Sequence, residues 1–121
     1  MKAIVVPTSM NDKIHVAEIN HEDLRTVYKL IGCDCVDAVT IYRDMNGSID
    51  CFVDDEGLLN DSAINEYFEI PFALGLSNCH LAGVVVITMS DKYGEWAETD
   101  INKVKAILMG CYKFKERFFN F

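Results

Sequence analysis

Apolar and polar positions alternate over short runs along most of this chain and stretch into a helical period in two places. Lys2 to Val6 is a β-branched run that Pro7 ends. Asn11-Asp12 is a turn signal, and Ile14, Val16 and Ile19 follow at strand-like spacing, so the chain is predicted to open on a hairpin. Asn20 is placed to cap a helix beginning at His21, with Glu22 and Asp23 in its first turn. Leu24, Val27, Tyr28 and Ile31 then recur on one helical face, and Gly32 stands where a C-terminal cap belongs.

The stretch from Val36 to Arg43 is rich in β-formers, and Ser48 to Val53 reads as its returning strand across a turn at Asp44–Gly47. Asp54-Asp55-Glu56-Gly57 is the next turn. Between Leu58 and Leu81 the pattern is weaker: Asp61 or Ser62 is placed to cap a short helix through Tyr67, Pro71 interrupts any longer one, and Gly75 and Ser77-Asn78 mark loops. Val84 to Thr88 is continuously apolar, as a central strand should be, and a turn at Asp91–Gly94 leads to a short strand at Glu95–Glu98. Thr99 is placed to cap a second helix whose buried face holds Ile101, Val104, Ile107, Leu108, Cys111 and Tyr112. This element order predicts an α+β fold: one domain over residues 1–121, with a mixed or mainly antiparallel sheet of about five strands and two helices packed on it.

Charge changes the picture more than composition does. The 121 residues carry a formal charge of −8, and residues 34–69 hold ten acidic groups against Arg43 alone, while residues 99–121 are basic. An acidic middle repels phosphate backbones, so direct nucleic-acid binding is not expected. No apolar run reaches the length that spans a bilayer, and the N-terminal apolar stretch is too short for a signal-peptide core; a cytoplasmic location is expected. The cysteines are five, an odd number, and are expected to be reduced, small, buried core side chains.

The run Val53-Asp54-Asp55-Glu56-Gly57-Leu58-Leu59-Asn60, the later Leu81-Ala82-Gly83-Val84-Val85-Val86, and the preceding Val36-Asp37-Ala38-Val39 occur in an order that resembles the phage and mobile-element family known as domain of unknown function 3846. The resemblance covers roughly residues 1–100 in layout, with few matching residues. The proline that family usually carries near the asparagine is not evident, and the second helix and aromatic tail look like additions. The family brings no established activity. The resemblance implies a context: a phage or mobile-element accessory protein, including evasion of host defence.

Several groups invite chemistry. Asp54, Asp55 and Glu56 are hard ligands in sequence, but the alternating ligands of a calcium loop are missing, and a solvated turn explains them. Cys33-x-Cys35 with Cys51, Cys79 and His80 lacks the paired knuckles of a zinc site. Nucleophile elbows, phosphate loops and zincin helices are absent, so no catalytic residue, resident metal or cofactor is assigned. Phe114, Phe118, Phe119 and Phe121 have three readings: cover for the domain's own core, packing against a second copy, or part of a ligand pocket; self-association in a homodimer is favoured, because an aromatic terminus left in water is costly.

The sequence thus predicts a non-catalytic protein that binds stoichiometrically. Two mechanisms compete: an acidic surface over residues 34–69, including Asp54, Asp55 and Glu56, presented to a basic host protein, or sequestration of a small nucleotide signal by Arg43, Lys92, Lys103 and Trp96. The alternatives are a small metal-dependent hydrolase using Asp54, Asp55 and Glu56, and a purely structural oligomer.

Overall fold

The structure, a computed structural model, describes residues 1–55, 64–68, 81–111 and 114–121. It forms a six-stranded sheet with two helices. The strands are β1 (Lys2–Val6), β2 (His15–Glu18), β3 (Val36–Asp44), β4 (Gly47–Asp54), β5 (Val85–Asp91) and β6 (Trp96–Ala97); the helices are α1 (Arg25–Ile31) and α2 (Ile101–Cys111). The sheet order is β2-β1-β5-β4-β3, with β6 also paired to β5. Every pairing between these strands is antiparallel. Both predicted hairpins form, and the apolar run at Val84–Thr88 supplies the central strand. Among the described residues no helix is long and apolar enough to cross a membrane.

Alternation along β4 divides the sheet into two faces. Ile49, Cys51 and Val53 are buried, whereas Ser48, Asp50, Phe52 and Asp54 on the opposite side are only partly so. The first face packs with Ile4, Ile87, Val104 and Leu108 into the larger core. Tyr67, Phe114 and Phe118 join it through edge and tilted ring contacts of 5.3 Å. The tail is pinned there by backbone bonds: Ile14 donates to the Phe118 carbonyl and Asn120 donates to the Ile14 carbonyl. Thus Phe114, Phe118 and Phe119, for which the sequence favours self-association over a core role, lie in the chain's own core, and Phe121 alone of the four is exposed. On the second face Val27 of α1 packs with Ala3, Val5, Ile19 and Val86, and Phe52 and Trp96 border that cluster.

Three local expectations are corrected. The first helix begins at Arg25, not His21, because side chains divert the preceding backbone: Asn20 Oδ1 accepts the Glu22 amide and Asp23 Oδ1 accepts the Arg25 amide. Gly32 does end it, at φ 81°, with its amide bonded to the Tyr28 carbonyl. The second helix is capped by Asp100, whose Oδ1 accepts the Lys103 amide at 3.1 Å; Thr99 is buried instead. Cysteine burial holds for Cys51, whereas Cys33 is half-buried and Cys35 exposed, because the chain between α1 and β3 runs over the surface. The turn at Glu66–Phe68 is a short 3-10 helix. The remainder of the short helix predicted after Asp61, together with Glu56, Gly57, Pro71, Cys79, His80, Tyr112 and the Cys111 side chain, lies outside the described residues.

Asn65 organises the end of β1. It is fully buried, and its Nδ2 donates to the carbonyls of Val6, Pro7 and Gly83 while its Oδ1 accepts the Tyr67 amide. A buried amide with these partners ties two chain segments to one strand end.

Candidate functional site: a polar row across the sheet

Four residues stand side by side on the second face. The register pairs Trp96 with Ser90, Ser90 with Ser48, and Ser48 with Arg43, so one row crosses β6, β5, β4 and β3. Cross-strand partners share a face. At about 4.8 Å per strand, three intervals separate Trp96 from Arg43 by about 14 Å along the sheet. The next row holds Thr88, Asp50 and Thr40. Ser48, Ser90, Thr40 and Asp50 all remain partly exposed.

Asp50 is the hub of this patch. Its carboxylate accepts from Thr40 Oγ1 at 2.8 Å, from Ser90 Oγ at 2.9 Å, and from Ser48 Oγ at 3.2 Å to each oxygen. Thr88, directly across from Asp50, is fully buried, and its hydroxyl has no hydrogen-bond partner among the described residues. Thr88 sits between Ile87, the last β5 residue paired with β1, and Met89, the first paired with β6. Phe52 meets Trp96 edge to face at 5.7 Å and 87°, which fixes the indole at the boundary between apolar cluster and polar row.

Beyond Arg43 the two turns that follow β3 and β5 enclose a cavity of about 210 Å³, lined by Arg43, Asp44, Met45, Gly47, Ser48, Asp91, Lys92 and Gly94. Gly47 makes this close approach possible: at φ 147° a Cβ there would lie 2.0 Å from the Ser90 carbonyl oxygen. Both acids on the wall are already engaged. Asp44 pairs with Lys103 Nζ at 2.9 Å, and Asp91 Oδ1 accepts the amides of Tyr93 and Glu95. Lys103 foremost, and then the Asn46 amide, hold the Asp44 carboxyl below its ordinary value, and Asp44 in turn raises Lys103. Arg43 and Lys92 have no carboxylate partner among the described residues; Lys92 lies 5.2 Å over the Tyr93 ring.

The structure therefore splits the residues singled out from sequence. Arg43 and Lys92 line one cavity at the turn end of the sheet, and Trp96 stands in the row of Arg43 about 14 Å away. Lys103 does not join them: α2 carries it on the other face, where it holds Asp44 and lies 5.6 Å over the Tyr42 ring. Asp54 and Asp55 sit at the far end of β4, about 23 Å of strand from Gly47. There the Cys33 thiol is pushed up first by burial and then by the charge of Asp54, with Asp55 and Asp34 adding. Among the described residues no three histidine, cysteine, aspartate or glutamate side chains converge as metal ligands. Sequence reasoning missed Thr40, Ser48, Thr88 and Ser90 and gave Asp50 no separate role. The available signal was the polar residue at every second position opposite Ile49 and Cys51, but their convergence needed the register.

The model of a family described as a domain of unknown function, DUF3846, matches residues 1–109. That match runs through most of α2, so the helix is part of the family's domain and not an addition to it. No curated protein and no solved structure matches the chain.

Proposed function

Because the chain belongs to the DUF3846 family, which carries no activity to inherit, we propose from the geometry that it is a non-catalytic protein that holds a small nucleotide-type ligand on the open polar face of its sheet. The observation that carries this reading is the row Trp96–Ser90–Ser48–Arg43, with a half-buried indole packed on Phe52 at one end and, at the other, a guanidinium without a carboxylate partner among the described residues. A nucleotide presents the complementary order: a base that stacks, a sugar that hydrogen-bonds, and a phosphate that pairs with Arg43 and Lys92. Stacking on an aromatic side chain contributes about 1–3 kcal/mol per base. The overall charge of −8 disfavours a long polyanion, but a small ligand meets only the local field, where the neighbouring acids are already engaged.

Such a protein works by occupancy in the cytoplasm, removing its ligand from other users. In a phage or mobile-element setting this would withdraw a host signal. Heat-denaturing the purified protein and analysing the released small molecules by mass spectrometry tests the reading. A phosphorylated, base-containing compound at a fixed ratio to protein is expected; no such compound, with no nucleotide binding on addition, would contradict it.

A second reading rests on the other end of the hairpin. Asp34, Asp37, Asp54 and Asp55 cluster around the start of β3, and the raised Cys33 thiol registers the field of three of them. That surface suits a basic patch on a host protein. Capture that weakens steeply with salt and is lost on neutralising Asp37 and Asp55 would favour it.

A further inference from the structure

We infer, resting on the nucleotide reading above, that Asp50 converts the middle of the polar row into a hydrogen-bond acceptor surface that selects a ligand carrying hydroxyl donors, as the ribose cis-diol does. A carboxylate can only accept, so Thr40, Ser48 and Ser90 must each donate their single hydroxyl proton to Asp50. What each hydroxyl still offers outward is its lone pairs. A group lying over Ser48 and Ser90 must therefore bring the proton itself. Ionised phosphate oxygens bring none, and Asp50 repels them, so phosphate is confined to the end of the row at Arg43 and Lys92.

A further observation fits. The three hydroxyls are fixed before any ligand arrives by bonds to an ionised acceptor, so orienting them adds little cost on binding.

The test titrates the four ribonucleoside 5′-monophosphates, their 2′-deoxy counterparts and inorganic phosphate into the full chain, by calorimetry and by Trp96 emission. The expected result is that at least one ribonucleotide binds about tenfold or more tightly than its deoxy counterpart. Phosphate alone should bind more weakly and depend on Arg43. Asp50→Asn frees hydroxyl protons to turn outward and removes the charge that repels phosphate, so it should erase the ribose preference and leave phosphate binding at least as tight. If Asp50→Asn fails to fold, Ser90→Ala, which keeps the carboxylate, carries the same expectation of a reduced preference. Equal binding of ribo- and deoxynucleotides, both lost in Arg43→Ala, would overturn the inference and leave the nucleotide reading standing. No binding by any nucleotide would overturn both.

Discussion

The two faces of β4 differ by one residue of offset and by almost everything else. Ile49, Cys51 and Val53 point into a core closed by α2 and the C-terminal aromatics. Ser48, Asp50 and Phe52 point the other way, toward a surface on which apolar packing stops and a carboxylate gathers three hydroxyls. On the first face, burial pushes the Cys51 thiol far above its ordinary value, so it behaves as a small apolar side chain. The second keeps polar groups half-buried, which costs stability unless they are bonded to one another, as Thr40, Ser48 and Ser90 are to Asp50. The larger core lies on one face, and the other carries a smaller core bordered by polar groups.

That division can be broken by substitution. Ile49→Ala should have the largest effect, a loss of about 2–5 kcal/mol for a fully buried isoleucine, read by urea denaturation. Its folded fraction should keep the ligand affinity of the parent; a change in affinity as large as that of Ser48→Ala would mean that the faces are not independent. Asn65→Ala comes next, at about 1–3 kcal/mol, because the carbonyls of Val6 and Gly83 lose a buried donor. The same denaturation series should show no effect of Arg43→Ala on stability.

The Asp44–Lys103 pair sharpens the comparison through pH. Asp44 has its native pKa lowered, so its contribution is complete above the ordinary carboxylate value of 3.8 and is lost as pH falls through the lowered one. Lys103 has its native pKa raised, so its contribution is complete below 10.5 and is lost as pH rises through the raised one. Lys103→Met should therefore lower the melting temperature slightly between those limits, and the gap to the parent should close at the acid end. The pair is partly exposed, so the effect is small. Smallest of all, Asp54→Asn in a Cys35→Ser background should speed alkylation of Cys33 at mildly alkaline pH, since it removes the leading charge that raises that thiol. An unchanged rate would show that burial alone sets it.

Much of the fold was legible because it rests on local signals. Asn46-Gly47 announced its hairpin, the β-branched run at Val84–Thr88 its central strand, and Gly32 the end of α1. Where side chains bond to nearby backbone, propensity misled: Asn20 and Asp23 delay α1, and Asp100 takes the cap expected of Thr99. The candidate site was legible only at its ends. Arg43 and Trp96 are conspicuous residue types, but more than fifty positions separate them in the chain, and nothing local says that four strands place them in one row. Lys103 was grouped with them by charge alone, although its helix packs on the opposite face. Ser48 and Ser90 look like ordinary strand residues until register sets both against Asp50.

Trp96 is the only tryptophan in the chain and stands in the row itself, so its fluorescence reports the site without a label. Titrating ribonucleotides while following that emission is the most direct test of binding on this face. A saturable change for at least one ribonucleotide, abolished by Arg43→Ala in a protein of unaltered stability, is the predicted outcome. Emission that stays constant through every titration, or a change that Arg43→Ala leaves intact, would contradict it.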